Sequence, residues 1–567
     1  MRQFARNRVP LVISMIFVGF LTILAVAPAF LAADETTDKV DKLFAAWDKA
    51  TTPGLALAVI RDGKIIYERG YGMAKLEDGI VNTPDKVFDI GSVSKQFTAI
   101  CVAMLIREGK VGLEDDIRKY LPEMPAYERP VTVNHLLHHT SGLRDYNSLL
   151  ELAGFRSDAD SPTVEEALEV IRRQKKLNYT PGEEYSYTNT GFFLLSQIVE
   201  HVSGKSLNAF AQERIFKPLG MTKTLFQDDH TQIIKDRATG YSQGDKGYTI
   251  SMSNWDETGD GNVYTTVRDL YLWDQAFYSN ALGKDLMDML HTQGVLNSGK
   301  KIDYAFGLVI REYKGLKVVE HGGAWVGFRA ALVRFPEQKF SVVILANLDS
   351  INPSRLAFGV ADIYLADLIK APAKEEAKKT PTIAVPKAEL MALTGNWQDA
   401  SFGLWLTLAM KDDKLIATLA GQNFILAAVA PGKFIVPNNP AEFVFEFTAP
   451  TNGITARAKM NIGTNQEFRF EKAAPVKALS AAELGAYAGT YVSEELLDAR
   501  YVISVDKDGL ILKTRDTARA PLKSMAPDKF MLPDFGLNIE FEREKGGMVT
   551  GFAVSVGRAA GIAFVKK

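Results

Sequence analysis

From Gly54 to Ile60 the chain is apolar without interruption, Arg61-Asp62-Gly63 breaks the run, and Lys64-Ile65-Ile66-Tyr67 resumes it. Two runs of strand-forming residues around a turn tripeptide predict a β-hairpin. The period then changes. Phe97, Ile100, Met104 and Leu105 recur at helical spacing and Gly109 supplies a stop, so a helix is predicted over 97–108. A second is predicted over 191–202. Leu316 to Val319, Arg329 to Arg334 and Phe340 to Leu345 read as further strands. If the first and last strands pair, the helical part is an insertion in one antiparallel sheet, an α+β design. That block covers residues 34–370.

Beyond it the pattern becomes charged and proline-broken, Lys370-Ala371-Pro372 to Lys379-Thr380-Pro381. This marks a solvated linker, taken as 371–385. A repeat follows. Glu389-Leu390 with Gly395 and Trp397 returns as Glu483-Leu484 with Gly489 and Tyr491. Ala430-Pro431-Gly432-Lys433-Phe434 returns as Ala526-Pro527-Asp528-Lys529-Phe530, and Gly463 with Phe470 as Gly557 with Phe564. One unit has been duplicated. Short alternating strands in each copy predict two small antiparallel β-barrels, 386–474 and 475–567.

The amino terminus has its own pattern. Arg2, Arg6 and Arg8 precede an apolar stretch from Val9 to Ala27, and Ala27-Pro28-Ala29 or Ala32-Ala33 offers a cleavage site. Residues 1–33 read as a secretory signal, with export to a bacterial periplasm or the medium. The stretch is long for a signal, so membrane anchoring through residues 9–27 stays open as the alternative. Composition adds exclusions. Net charge is −2 and no basic cluster is interleaved with aromatics, so nucleic acid is not an expected partner. The single cysteine, Cys101, allows no intrachain disulfide and sits in the first predicted helix as a buried apolar thiol. Neither barrel copy contains His or Cys, so no metal site is expected there. Oligomeric state is not legible.

Candidate chemistry lies just before the first helix. Ser92-Val93-Ser94-Lys95 sets a hydroxyl and an amine on one face of a helical first turn. A desolvated lysine can be neutral and serve as base for such a serine. Ser504 and Lys507 repeat the spacing, but in an alternating strand. Tyr187-Thr188-Asn189 adds a phenol and an amide on a loop entering the second helix. Tyr278-Ser279-Asn280 has the same form at the end of an amphipathic run, where packing is the better reading. Glu320-His321-Gly322-Gly323-Ala324 follows an apolar strand, and its glycines allow close backbone approach.

Ser92-x-x-Lys95, Tyr187-x-Asn189 and His321-x-Gly323, in that order, resemble the three motifs of the serine β-lactamase and penicillin-binding-protein superfamily, closest to class C β-lactamases and their esterase and peptidase relatives. Leu136 to Leu143 and Thr265 to Leu270 also match stretches of that group, in structural roles; Thr266 with Asp269 looks like a capping box. The two-barrel tail resembles that of bacterial D-aminopeptidases. The resemblance implies that Ser92 forms an acyl-enzyme, that Lys95 and Tyr187 share the proton work with Lys95 as the charge assisting a Tyr187 base, and that Asn189 orients Lys95 or the substrate. It implies an oxyanion hole from the Ser92 and Ala324 N–H groups, and no cofactor or metal.

His321 stands where many penicillin-hydrolysing members carry Lys. A histidine is mostly neutral at pH 7 unless shifted, which points to small amides, D-amino-acid peptides or esters as substrates. Class C-like penicillin or cephalosporin hydrolysis and a silent cell-wall peptide sensor are the alternatives. A loop of the second barrel around Ser493-Glu494-Glu495 is expected either to meet a substrate amine in the cleft or to be a solvated acidic turn.

Overall fold

The apolar run at residues 55–60 is buried on both sides, which explains why it lacks the alternation of a half-exposed strand. In the computed structural model, described for residues 27–369 and for 382–567 except 400–403, 420–421, 438–442, 449–456, 463–465, 477, 508 and 516–518, this run is the strand β1 (Leu55–Arg61). It turns through Asp62 and Gly63, both with positive φ, into β2 (Lys64–Tyr71). Two successive left-handed residues match the twist of a tight hairpin, which favours Asp-Gly there. Four later strands, β3 (Val309–Tyr313), β4 (Leu316–Trp325), β5 (Phe328–Phe335) and β6 (Phe340–Ala346), complete one six-stranded antiparallel sheet of order β3-β4-β5-β6-β1-β2. β1 and β6 pair from Leu55 with Ala346 to Arg61 with Phe340. The first and last strands therefore meet as the sequence predicts, and β3 is an edge strand that its pattern did not announce.

Each face of the sheet is covered. Leu55, Leu57 and Val59 pack with Val40 and Phe44 of the helix α1 (Ala27–Phe44) and with Ala357, Val360 and Ala361 of the helix Pro353–Tyr364. Ala56, Ala58 and Ile60 face the opposite core, shared with α2 (Lys95–Arg107) and the inserted helices. The residues of α2 are buried from Lys95 to Leu105. A helix apolar all round belongs inside a domain, and burying each large side chain contributes roughly 1.5–3 kcal/mol. Burial holds the Cys101 thiol far above its ordinary pKa. The predicted second helix is α4 (Asn189–Ser203), and α3 (Tyr146–Ala153) packs beside its start.

The tail forms two closed barrels, with strands from Gly395–Asp399 to Gln466–Lys472 and from Gly489–Ser493 to Ala559–Lys566. The repeated aromatic residues are interior ones: Trp397 and Tyr491, Phe434 and Phe530, Phe470 and Phe564 are all buried. The first barrel closes around its own core, whereas the core of the second runs continuously into the catalytic block. The expected signal segment up to residue 26 and most of the linker, 370–381, lie outside the described residues. Among the described residues no helix is long and apolar enough to cross a membrane.

Candidate active site

Ser92 lies in a short 3-10 turn, Gly91–Ser94, that leads into α2, rather than in the α-helix itself. Lys95 opens the helix and donates from Nζ to Ser92 Oγ at 3.0 Å, to Asn189 Oδ1 at 2.9 Å and to the Asp260 carbonyl oxygen at 2.6 Å. Complete burial drives the Lys95 ammonium well below the ordinary lysine pKa, opposed by the charge of Asp260. Two of its partners can only accept. A neutral amine spends its two hydrogens on them and turns its lone pair toward the Ser92 hydroxyl.

Tyr187 joins the group. Its ring lies 5.0 Å from Lys95 Nζ, and its buried hydroxyl has no hydrogen-bond partner of normal geometry. Burial raises its pKa far above that of an ordinary phenol, with Ser92 and an arginine, Arg558, pulling the other way. Burial thus favours the neutral phenol at Tyr187 and the neutral amine at Lys95.

His321 and Gly323 lie within β4, which continues through both glycines to Trp325. The His321 imidazole is buried, with Nδ1 against the Gly322 carbonyl at 2.6 Å and Nε2 3.0 Å from the Tyr304 hydroxyl. Nδ1 therefore carries the hydrogen and Nε2 accepts from Tyr304. Burial, aided by Lys95, pulls His321 down to about 4, so it is uncharged at neutral pH. The glycines bring the oxyanion-hole candidates together. A Cβ on Gly323 would lie 1.9 Å from the Ile90 carbonyl oxygen and 3.3 Å from Ser92 N, and one on Gly91 would lie 2.8 Å from Ala324 N. Gly91 also has φ +48°, where other side chains strain.

The look-alike motifs are elsewhere. Ser504 and Lys507 are exposed on the second barrel. Tyr278 and Asn280 end the helix Val267–Ser279, where Asn280 is the left-handed cap. At that helix's start Thr266 Oγ1 accepts from Asp269 N. The Asp269 carboxylate accepts instead from Lys223 N and the Thr224 hydroxyl, so only half of the expected box forms.

Several residues escaped the sequence. His139 stacks 4.2 Å from the Tyr187 ring and 4.4 Å from that of Tyr304. Its Nδ1 accepts from Thr188 N and its carbonyl from Ser186 N, which clamps the loop carrying Tyr187. The stretch Leu136 to Leu143 thus supports the site directly. Asp145 caps α3 through Ser148 N and also accepts from Asn189 N at 2.7 Å, so one carboxylate starts both helices. Arg558, on the last hairpin of the second barrel, donates to Asp145 Oδ1 at 3.3 Å and lies 5.7 Å from the Tyr187 ring. The Ser493–Glu495 loop neither enters the cleft nor lies wholly in solvent: Glu495 is buried and pairs with buried Arg144 at 2.7 Å. A cavity of about 700 Å³, lined by Arg144, Asn178, Gln398 and Glu540 among others, lies between the catalytic block and the barrels. The cavity at Ser92 is only about 40 Å³.

This fold and constellation have counterparts. The family model described as Beta-lactamase matches residues 40–360, more than half of the sequence, and the chain belongs to that family. A D-aminopeptidase of Brucella anthropi is 32% identical over 365 residues, covering 63% of this chain and 65% of that protein. The chain thus spans just under two thirds of the length of this and other strongly matching relatives. A D-aminopeptidase of Cereibacter sphaeroides is 29% identical over 534 residues, covering 92% of this chain and 96% of that one, tail included. Among solved structures, the octameric penicillin-binding protein homologue from Pyrococcus abyssi superimposes with a TM-score of 0.54 at 24% identity, over 77% of this chain and 99% of its own. At that identity the likeness concerns the fold.

Proposed function

We propose that this protein is a serine hydrolase that removes amino-terminal D-residues from short peptides and amides through an acyl-enzyme on Ser92. The observation that carries the reading is the Lys95 amine, desolvated and held between two acceptors with Ser92 Oγ 3.0 Å away. That is the geometry and protonation state a general base needs. Ser92 Oγ attacks the amide carbonyl carbon as its proton passes to Lys95 Nζ. The charge on the carbonyl oxygen is met by the N–H groups of Ser92 and Ala324. Tyr187 O–H protonates the departing amine and is reprotonated from Lys95. Water then cleaves the Ser92 ester by the same route in reverse. The D-aminopeptidase relatives, one of them aligned across both barrels, support the substrate class.

His321 argues against efficient penicillin hydrolysis, because a neutral imidazole offers no cation to a substrate carboxylate. The test compares D-alanine p-nitroanilide, its L-isomer, a p-nitrophenyl ester and a chromogenic cephalosporin, with mass spectrometry of the trapped enzyme. The expected result is preferential turnover of the D-anilide and an acyl adduct that Ser92→Ala abolishes. Equal turnover of both isomers, or an adduct that survives Ser92→Ala, would overturn the proposal.

A further inference from the structure

The mechanism above leaves one buried acid unused. Glu257 lines the small cavity beside Ser92 and is 3% exposed. Neither of its carboxylate oxygens has a hydrogen-bond partner of normal geometry. Leaving such a group unsatisfied in the interior costs about 1–3 kcal/mol or more. The fold goes to some length to hold it there: Asn262 Nδ2 donates to the carbonyls of both Trp255 and Glu257, at 2.8 and 2.9 Å, and fixes the loop.

The rest of the lining has the same bias. Asn147 Oδ1, in the same cavity, is also buried and unpartnered. Asp260 is close by, its Oδ1 engaged by the Tyr146 hydroxyl at 3.2 Å. Trp255 and Trp325 form an aromatic wall with centroids 5.5 Å apart. The Trp255 Nε1 hydrogen is the unpartnered donor of the set. Unpartnered carboxyl and amide oxygens, acidic surroundings and aromatic faces suit a compact cation with several N–H groups, which would also draw the proton off Glu257. A volume of about 40 Å³ holds such a group and little more.

We infer that Glu257, with Asn147 and the Trp255–Trp325 wall, binds the free α-ammonium of the substrate's acyl residue, and that this selects peptides and amides with an unblocked amino terminus. The inference rests on the aminopeptidase reading above and adds the residue that enforces it. The protonation of the free acid agrees. Burial, opposed by the Glu257 backbone N–H and reinforced by Asp260, Asp256 and Glu166 as negative neighbours, pushes Glu257 up to about 8. A substrate cation supplies the positive charge that this site lacks.

The experiment measures kcat/KM for D-alanine p-nitroanilide against propionyl p-nitroanilide, which has the same shape without the amine. Wild type is expected to favour the amine at least 100-fold. Glu257→Gln is expected to cut that ratio at least tenfold, chiefly through KM, and Glu257→Asp to lose less; thermal melts establish that both variants fold. In a parallel arm on the wild type, ethylammonium chloride is expected to slow phosphonate labelling of Ser92 more than sodium chloride at equal ionic strength. A wild-type preference that survives Glu257→Gln, or equal labelling in the two salts, overturns the Glu257 assignment and leaves the aminopeptidase reading standing. No preference in the wild type overturns the aminopeptidase reading itself.

Discussion

The proposed mechanism concentrates the chemistry in the Lys95 amine, whose buried environment makes it measurable. Lys95→Ala removes the base while leaving the oxyanion hole, and kcat is expected to fall at least 10³-fold in steady-state assays, within the range for general-base loss. Because burial lowers the Lys95 pKa, the acylation rate is expected to rise with pH near neutrality, far below the ordinary lysine value of about 10.4. Glu257 provides a stability test of opposite slope. Its pKa is raised to about 8 in the folded chain, so the native state holds a proton that the unfolded chain gives up near the ordinary glutamate value of about 4.3. Stability from this group is full below that value and is lost as pH climbs through 8. The melting temperature of Glu257→Gln relative to wild type should therefore increase between pH 5 and pH 8; a flat difference would contradict the assigned burial. Ser92, Lys95, Tyr187, Asn189 and His321 were legible because each stands in a short motif of fixed spacing. Glu257, Asp260 and Tyr304 carry no such signature. Only the folded chain brings a lone acid in Trp-Asp-Glu-Thr beside a serine more than a hundred residues away.

At the scale of elements, Asp145 decides how two helices begin. The amino end of α4 has no cap from its own Thr188 side chain, and the Asp145 carboxylate takes that place while capping α3. A cap is worth about 0.5–2 kcal/mol, and here two share one group. Asp145→Ala is expected to lower stability by about 1–4 kcal/mol in urea titration and to reduce kcat, because Asn189 is the first residue of α4 and holds Lys95. Asp145→Asn should recover most of the stability. Helices and hairpins with clear periods were read correctly from sequence, since burial imposes those periods directly. The segment around His321 was harder. Its glycines continue β4, and Gly323 packs against the Ile90–Ser92 backbone, a tertiary demand that local propensity does not record.

For the whole molecule, the second barrel is packed into the core of the N-terminal block and touches the candidate site. Arg144 and Glu495 are 2% and 5% exposed and form a 2.7 Å ion pair across the boundary. Glu495 also accepts from Lys175 N and Ala563 N, while Arg144 donates to Gln174 Oε1 and the Gly561 carbonyl. Removing one partner of a buried pair costs roughly 3–5 kcal/mol. Glu495→Ala is thus expected to loosen the barrel, seen as faster amide exchange along Ala559–Lys566 at unchanged exchange in the first barrel. Arg558 tunes the site from the same hairpin. Its charge helps to keep Lys95 deprotonated, so Arg558→Ala should move the rising limb of the pH–rate profile to higher pH, and an unmoved limb would reduce Arg558 to a structural role. The duplication of the barrels was legible because the repeated aromatic residues are interior ones; their different attachment was not, since the core of a barrel and its outer contacts leave separate marks on the sequence.

The Arg558 contact also sets an order of events. The nucleophile is residue 92 and the guanidinium beside Tyr187 is residue 558, so the finished site depends on a contact spanning most of the polypeptide. Contacts of such separation form late, after local helices and hairpins. A chain emerging from the ribosome carries its serine and lysine early, long before the arginine that comes to lie beside them. The guanidinium beside Tyr187 is thus the last part of the site to be placed, once the final hairpin has packed.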